Sequence, residues 1–344
     1  QQFALEANNC VIDKFGRVGA RKGWTPVHTT NTDLGTTDPI ESIGEYVAAD
    51  GARTIICAGN GYIFKLTGST LTTLTYGGGG VAPVISANNW QMASMNGALT
   101  LFQEGYDPLI YDPALSTTQF RRVSEHPSYT GTILQGHCGI SAYGRLWCAS
   151  TPTDKQTIKW SDLLLHYKWT GGSAGSLNLV GVWPHGGDEI VALATHNNSL
   201  FIFGTKQILI YTGANDPATM ELSDSIGNTG CVGRDTVQNT GADIFFLSDS
   251  GLRSVMRTIQ EKSAPLRNIS RNVNNDVLDY LNNEVGGATV KSAYSPIDSF
   301  YLLTFVVSGV TYCFDTRTML EDGSSRATFW PNVKHRAYHY SKDR

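Results

Sequence analysis

Short apolar runs, each introduced by a turn, recur along the chain and dominate its hydrophobic pattern. In each run, β-branched and aromatic residues follow a turn that contains Asn, Asp or Gly. The six clearest runs cover residues 60–66, 96–102, 143–148, 197–203, 241–247 and 298–303. Asn, Asp and Gly tolerate the positive φ angles of tight turns, so each run predicts a β-strand that leaves a hairpin.

Most of these strands have predicted neighbours on both sides. Residues 109–112, 207–212 and 310–315 read as further strands after short polar breaks, and residues 190–194 are one of the apolar segments that precede a turn. Three to four short strands per repeat is typical of a propeller blade.

The spacing of the repeats is uneven. The turns lie near residues 61, 97, 144, 198, 242 and 298, so the gaps range from 36 to 56 residues. Regular propeller repeats span roughly 40–50 residues. We therefore predict an all-β fold, an irregular β-propeller of about six blades over residues 40–335. Two packed β-sandwiches are the structural alternative.

Three segments fall outside this strand pattern. Residues 1–39, which contain Pro26 and Pro39, predict an N-terminal arm, and residues 336–344 predict a C-terminal tail. Residues 270–283 predict one short helix insertion that Ser270 would cap, because Val273, Val277, Leu278 and Leu281 share a helical face.

The composition agrees with a strand-rich fold. Hydrophobic residues make up 41% of the 344 residues and charged residues 16%, below the usual value of about 25%. The net charge of −4 argues against a dedicated nucleic-acid-binding protein, which would normally be basic. No window approaches 18 uninterrupted apolar residues, so we expect no transmembrane helix and no membrane insertion by this chain.

The six cysteines stand singly, and none forms a Cys-x-x-Cys pair. A large hydrophobic core does not require disulfide bonds for stability. Buried free thiols are therefore the favoured interpretation, which implies folding in a reducing compartment.

The sequence contains no strong catalytic or metal-binding motif. The eight histidines include no His-Glu-x-x-His or His-x-His arrangement, and His335 and His339 are interpreted as exposed or stacking residues. Residues 248–251, Ser-Asp-Ser-Gly, are interpreted as a β-turn. We predict no catalytic residue, no metal site and no cofactor, and therefore a protein that is not an enzyme.

Two basic clusters remain. One consists of Lys14, Arg17, Arg21 and Lys22, and the other consists of Arg253, Arg257, Lys262, Arg267 and Arg271. Contact with DNA phosphates is one interpretation. The favoured interpretation of both clusters is that they are solvated surface or contact acidic residues of neighbouring subunits.

The opening of the chain resembles that of a known family. Residues 8–24, with Gly-Arg-Val-Gly-Ala-Arg-Lys-Gly at residues 16–23, resemble the start of tail nozzle proteins of short-tailed bacteriophages, also called virion stabilisation or tail tubular proteins. Residues 226–233 and 244–255 are a second match, and residues 270–281 look like the Ser-capped helix of that family. The chain ends soon after residues 329–331, where relatives often continue.

The resemblance implies a structural role in the virion tail. Such proteins form a hexameric ring below the tail adaptor that continues and narrows the DNA channel and helps to retain and eject the genome. The implied partners are further copies of the chain, the adaptor, tail fibre or spike proteins, and DNA that passes non-specifically through an acidic lumen. Assembly would take place in the host cytoplasm.

Two sets of residues are candidates for this role. We expect the arm to make assembly or adaptor contacts, through Arg17, Arg21, Lys22 and Trp24. Flexible glycine-rich loops are candidates for gating the channel; they are residues 171–176 and the run Gly77, Gly78, Gly79 and Gly80.

A carbohydrate-binding or glycan-hydrolysing propeller is the alternative function. Tryptophan side chains can stack on sugar rings, and the chain has seven of them, at Trp24, Trp90, Trp147, Trp160, Trp169, Trp183 and Trp330. Most lie beside predicted strands, where a role in the core is the ordinary explanation.

Overall fold

The protein is an all-β, six-bladed propeller, as the sequence predicts. The computed structural model describes residues 7–27, 40–59, 61–85, 90–133, 135–261, 268–284 and 287–341. Within these residues each blade is a separate sheet of three to five strands, and a two-stranded hairpin lies outside the blades. This arrangement rules out the alternative of two packed sandwiches.

The first three blades follow each other along the chain. Blade 1 contains β3 (Ile40–Val47), β4 (Arg53–Gly59), β5 (Tyr62–Thr67) and β6 (Thr70–Thr73). Blade 2 contains β7 (Thr75–Tyr76), β8 (Gln91–Met95), β9 (Ala98–Phe102), β10 (Leu109–Tyr111) and β11 (Gln119–Arg122). Blade 3 contains β12 (Cys138–Ala142), β13 (Arg145–Ala149), β14 (Thr157–Trp160) and β15 (Gly175–Asn178).

The remaining elements complete the ring. Blade 4 contains β16 (Ile190–His196), β17 (Ser199–Gly204), β18 (Ile208–Thr212) and β19 (Glu221–Ile226). Blade 5 contains β20 (Gln238–Asn239), β21 (Ile244–Ser248) and β22 (Gly251–Ser254). Blade 6 contains β23 (Val290–Ser295), β24 (Phe300–Phe305), β25 (Val310–Met319) and β26 (Ser325–Pro331). The hairpin pairs β1 (Cys10–Ile12) with β2 (Val18–Ala20), and the helices are α1 (Val255–Glu261) and α2 (Asn274–Asn282).

The first blade explains much of the uneven spacing. Five of the predicted turns join the first two antiparallel strands of a blade, which in blade 2 are β8 and β9 because β7 pairs in parallel at the outer edge. Gly61 instead joins the second and third strands of blade 1. The equivalent turn in blade 1 contains Gly51, whose φ of +85° favours glycine. Counted from Gly51, the gap to Gly97 is 46 residues rather than 36, so this interval is an ordinary propeller repeat.

Five of the six seams between neighbouring blades are filled by hydrophobic clusters. Side chains of adjacent sheets interdigitate from the blade 1–2 seam to the blade 5–6 seam. Representative members, in ring order, are Ile63 with Leu101, Phe102 with Leu146, Trp147 with Leu200, Phe203 with Phe246, and Phe245 with Tyr301.

The sixth seam, between blades 6 and 1, is built differently. Among the described residues, the outer apolar cluster of blade 1 and that of blade 6 stay separate. Residues 336–341, which we name the C-terminal strap, contact both blades. Arg336 Nη1 donates to Glu41 Oε1 at 2.8 Å, Ser341 Oγ donates to Glu45 Oε1 at 2.6 Å, and Tyr338 bonds Thr304 through their hydroxyl groups. Residues 342–344 lie outside the described residues.

The predicted helix near residues 270–283 corresponds to α2, which follows a single 3-10 turn at Arg271–Val273. Ser270 does not cap it, because the Ser270 hydroxyl instead accepts a hydrogen bond from the Leu252 N–H at 2.9 Å. Val277 is buried in the blade 5–6 cluster, as the helical pattern predicts. The sequence did not predict α1, which follows the third strand of blade 5.

All six cysteines are buried and free, which confirms the interpretation of buried thiols. Burial raises the pKa of the Cys57 thiol to about 12.

Within the described residues, no helix has both the length and the hydropathy needed to span a membrane.

Candidate functional site

The β1–β2 hairpin has a turn that its own sequence stabilises. The Asp13 carboxylate accepts hydrogen bonds from the N–H groups of Phe15 and Arg17 at 2.8 and 2.9 Å, and from Arg17 Nε at 2.9 Å. Gly16 has a φ of +77°, where other L-residues are strained. Asp13, Gly16 and Arg17 therefore fix a tight turn at the end of the hairpin.

The base of the hairpin is attached to blade 6. Asn9 N donates to the Phe329 carbonyl at 2.8 Å, and Trp330 Nε1 donates to the Cys10 carbonyl at 2.8 Å. Cys10 and Ile12 are buried. Hydrogen bonds and apolar contacts together hold residues 9–12 on the outer edge of the last blade.

The tip of the hairpin, which we define as residues 14–18, extends into solvent. Phe15 is 69% exposed and Val18 is 68% exposed. Lys14 Nζ and Arg17 Cζ lie 5.1 and 4.8 Å from the centroid of the Phe15 ring. Among the described residues β2 pairs only with β1, so its other edge presents backbone groups that another strand could bind. The tip is therefore a cationic, apolar and open-edged surface.

The four predicted assembly residues have different environments. Arg17 and Lys22 are exposed, and Trp24 is 58% exposed. Arg21 lies between two indole rings, with its Cζ 5.1 Å from the Trp24 centroid and 5.2 Å from the Trp330 centroid. Trp24 also contacts His335 edge-to-face, at 4.7 Å between centroids. Arg21 and Trp24 thus attach the segment to blade 6, while Arg17 and Lys22 face solvent.

The predicted gating glycines lie at the outer edge of blade 2. Gly77 N donates to the Phe120 carbonyl at 2.8 Å, which extends the parallel pairing of β7 with β11. A Cβ at Gly78 would approach Glu125 and Tyr76 to within 2.3 Å, whereas Gly79 has open space around it. The second candidate loop, residues 171–176, is held where Ser173 N donates to Asp162 Oδ1 at 3.0 Å.

Charged side chains cross the central channel of the propeller. Arg234 Nε bonds Asp235 Oδ1 at 2.8 Å, and Lys291 Nζ bonds Asp235 Oδ2 at 2.5 Å. Arg234 Nη1 also donates to the His137 carbonyl at 2.5 Å. Since these residues belong to blades 3, 5 and 6, the network connects three blades across the channel. No local sequence pattern predicts it, because His137, the adjacent pair Arg234–Asp235 and Lys291 are distant from one another along the chain and form no motif.

Burial and charge shift two pKa values in this network. Burial by itself raises the pKa of the Asp235 carboxyl, but Arg234 and Lys291 outweigh that effect and hold this pKa well below its usual value. Burial, followed by the Arg234 guanidinium, lowers the pKa of His137 to about 4. The Asp235 carboxylate is therefore ionised and His137 neutral at neutral pH.

The three members of the second basic cluster that the structure describes, Arg253, Arg257 and Arg271, all have partners. Arg253 is buried, and its Nη2 donates to Ser250 Oγ at 2.7 Å in the predicted Ser-Asp-Ser-Gly turn. Arg257 Nη1 donates to the Gly323 carbonyl at 2.5 Å, and Arg271 pairs with Asp322 at 3.6 Å. Lys262 and Arg267 lie outside the described residues.

Six of the seven tryptophans are buried and therefore cannot stack on a sugar. Their exposed fractions are at most 7%, and Trp24 is the exception. His335 contacts Trp24 and Tyr338 edge to face rather than by stacking, and His339 is exposed.

Comparisons with known proteins identify no family. No protein-family model matches the chain, and no curated protein matches it. Among solved structures, PorZ of Porphyromonas gingivalis, a surface component of the type-IX secretion system, is 12% identical with a TM-score of 0.46; the match covers 88% of this chain and 34% of PorZ.

Two further structures are similarly distant. A protein from Lactobacillus plantarum is 12% identical with a TM-score of 0.47, and the match covers 83% of this chain and 80% of that protein. Hsv2 of Kluyveromyces lactis is 9% identical with a TM-score of 0.42, and the match covers 86% and 97% of the two chains. Similarities of this size identify neither a family nor a function.

Proposed function

We propose that this chain is a non-enzymatic structural subunit of a short-tailed bacteriophage tail, which assembles into a hexameric nozzle ring below the adaptor. The observation that carries the proposal is the exposed hairpin tip. Large apolar side chains beside cations on an open strand edge are characteristic of an interaction surface. In the ring, this tip would contact a neighbouring copy or the adaptor.

The positive charge of the hairpin segment supports a negatively charged partner. Residues 7–27 contain four cationic side chains and one carboxylate, whereas the whole chain has a net charge of −4. A cationic tip on an otherwise acidic protein favours association with an acidic region of another copy of the same chain, because complementary charges orient the encounter.

Two of the three stretches that resemble tail nozzle proteins coincide with features that depart from a plain propeller, whereas residues 226–233 and 244–255 lie at the junction of blades 4 and 5 and in β21 and β22. Residues 8–24 form the hairpin and its continuation along blade 6, and residues 270–281 form the 3-10 turn and α2. This coincidence supports the proposed family role, because both features lie outside the repeating blade pattern.

The proposed ring places DNA outside the propeller's own channel. The Arg234–Asp235–Lys291 network and its bond to the His137 carbonyl cross that channel, so a duplex cannot pass along it. DNA would instead pass through the opening that six chains surround, and the expected acidic lining belongs to that opening. The glycines at 77–80 on the outer edge of blade 2 could gate it only if that edge faces the opening.

The decisive experiment images the purified chain and a tip variant by electron microscopy, with mass photometry to count copies. We expect rings of six for the unaltered chain. Phe15→Glu should weaken assembly about ten-fold or more, since it places a carboxylate in a surface that the proposal assigns to acidic partners. Its circular dichroism and melting temperature should not change, because Phe15 is 69% exposed.

Ile297→Glu is the matched control, because Ile297 is 75% exposed on blade 6 and lies outside the hairpin. If the Phe15 and Ile297 variants assemble equally well, the tip is not part of the interface. A chain that stays monomeric at all concentrations, also with the adaptor present, would contradict the ring itself. Specific binding in a glycan array would support the carbohydrate alternative.

A further inference from the structure

Three potential metal ligands meet at the outer part of the seam between blades 2 and 3. Asp112 directly follows β10, His126 follows a 3-10 turn at Val123–Glu125, and His166 lies in the connection between β14 and β15. Their exposed fractions are 8%, 9% and 5%. Two blades thus bring two imidazoles and one carboxylate together in a buried position.

The separations fit shared metal coordination better than direct hydrogen bonds. His126 Nε2 lies 3.5 Å and His166 Nε2 lies 3.7 Å from Asp112 Oδ2, and all three ligand atoms are within 4.8 Å of one another. A charge-assisted N–H···O bond is about 2.7–2.9 Å long. Two ligands at zinc distances of about 2.1 Å and a tetrahedral angle lie about 3.4 Å apart.

His166 supplies an independent observation. Both of its ring nitrogens are buried and have no hydrogen-bond partner among the described residues. Leaving a polar atom buried and unsatisfied costs about 1–3 kcal/mol. An ion bound at Nε2 would satisfy one of these nitrogens and use the Asp112 carboxylate oxygen that faces it.

The surrounding contacts hold the other two ligands in place. Asp112 Oδ1 accepts a hydrogen bond from the Ala114 N–H at 2.9 Å, which leaves Oδ2 directed at the histidines. The His126 ring stacks on Tyr167, with 4.2 Å between centroids and 7° between planes. Such outer contacts are what orient ligands in metal sites.

We propose that Asp112 Oδ2, His126 Nε2 and His166 Nε2 bind one divalent first-row transition-metal ion, with water completing the coordination. Two imidazoles and a carboxylate suit Zn²⁺ and its neighbours rather than Mg²⁺ or Ca²⁺, which prefer oxygen ligands. Because the ligands come from two blades, the ion would fasten blade 2 to blade 3. This inference is independent of the proposed tail function.

Binding has a local consequence at His126. Its Nδ1 accepts a hydrogen bond from the Ser128 N–H at 3.1 Å, so the neutral ring carries its proton on Nε2. With the ion at Nε2, the ring proton moves to Nδ1, and the Ser128 hydrogen bond is given up. The Ser128 amide therefore reports on occupancy of the site.

The test uses the full chain, stripped with a chelator and titrated with ZnCl₂ by calorimetry. We expect one Zn²⁺ per chain, and a melting temperature about 4 °C higher at 100-fold excess over the dissociation constant. Co²⁺ should give the visible bands of a tetrahedral site. Amide exchange at Ser128 should increase when metal binds.

Asp112→Asn and His166→Gln should each weaken Zn²⁺ binding ten-fold or more. His185→Gln is the matched control, because His185 is an exposed histidine on another seam, and it should bind Zn²⁺ as the unaltered chain does. Absence of Zn²⁺ binding by the unaltered chain, or equal binding by all three variants, would overturn the proposal. If the buried variants fail to fold, the Co²⁺ spectrum of the unaltered chain decides, since an octahedral or absent spectrum contradicts the site.

Discussion

The seam between blades 3 and 4 and the seam between blades 6 and 1 close the same ring by different means. The first buries Trp147, Trp160 and Trp183 in one apolar cluster. The second is bridged by the C-terminal strap through Arg336–Glu41 and Ser341–Glu45 contacts. Apolar burial is the larger stabilising contribution in most proteins, and partly exposed polar contacts contribute less. We therefore expect the sixth seam to open most readily.

The difference also places the weakest seam beside the candidate assembly surface. The hairpin is attached to blade 6 through Phe329 and Trp330, and the same blade contacts the strap through Thr304. Trp24 of the N-terminal segment touches His335, next to the strap. Both ends of the described chain thus converge on blade 6, so a partner that binds the hairpin should also stabilise the closure of the ring.

The largest expected effect is on the apolar seam. Trp147→Ala removes a fully buried side chain from the blade 3–4 cluster, and should lower the free energy of unfolding by about 3–5 kcal/mol. Urea denaturation followed by fluorescence measures this change. Trp24→Ala is the control, because Trp24 is largely exposed, and it should cost far less. Equal losses for the two variants would mean that burial does not determine the strength of this seam.

An intermediate effect is expected at the polar seam. The Glu45 carboxylate bonds Arg53 at 2.5 Å and Ser341 at 2.6 Å, and Glu45→Ala should cost about 1–3 kcal/mol. Trypsin should then cleave after Lys334 and Arg336 several times faster, because the strap detaches locally. Glu221→Ala, at an exposed position in blade 4, should leave this cleavage rate unchanged. A strap that stays protected in the Glu45 variant would show that other contacts hold the seam.

The smallest effect is a dependence of the polar seam on pH. Burial raises the pKa of Glu45, but its hydrogen bonds with Ser341 and Arg53 and the charge of His339 bring the net value below the usual 4.5. A carboxyl group with a lowered pKa contributes stability above pH 4.5 that is lost as the pH falls through the folded-state value.

Hydrogen exchange measured by mass spectrometry and corrected for intrinsic rates tests this expectation. Protection of residues 336–341 should fall below about pH 4.5, whereas protection of β13 in the apolar seam should not. Glu45→Gln should show the reduced protection already at pH 6 and little further loss on acidification. If protection of residues 336–341 and protection of β13 fall together, global acid unfolding is the cause.

Most of the blade pattern could be predicted from the sequence, because tight turns and apolar runs are local signals. Gly97, Gly144 and Asn198 each mark the turn between the first two antiparallel strands of a blade. Blade 1 was counted out of phase, because Arg53 and Thr54 delay the apolar run after Gly51, whereas Tyr62, Ile63 and Phe64 follow Gly61 directly. The helix α1 was missed because its seven residues are too few to show a helical period.

The candidate sites depended on contacts that no local pattern contains. Lys14 and Arg17 were recognised as a basic cluster, but attachment of the hairpin to Trp330 joins residues at opposite ends of the chain. The ligands Asp112, His126 and His166 form no motif, because a loop in another blade supplies the third. Their proximity follows from the closure of the ring, which composition and spacing do not describe.

The hydrogen bond between Trp330 and Cys10 also has a consequence for synthesis on the ribosome. The two residues are separated by 320 positions, so a chain that grows at about 5–20 residues per second needs tens of seconds between making the hairpin and making its binding site. During that interval Cys10 and Ile12 lack their native cover. The earliest part of this sequence is thus among the last to reach its final place, and a nascent chain would depend on chaperones, or on the open strand edge of a neighbour, until blade 6 emerges.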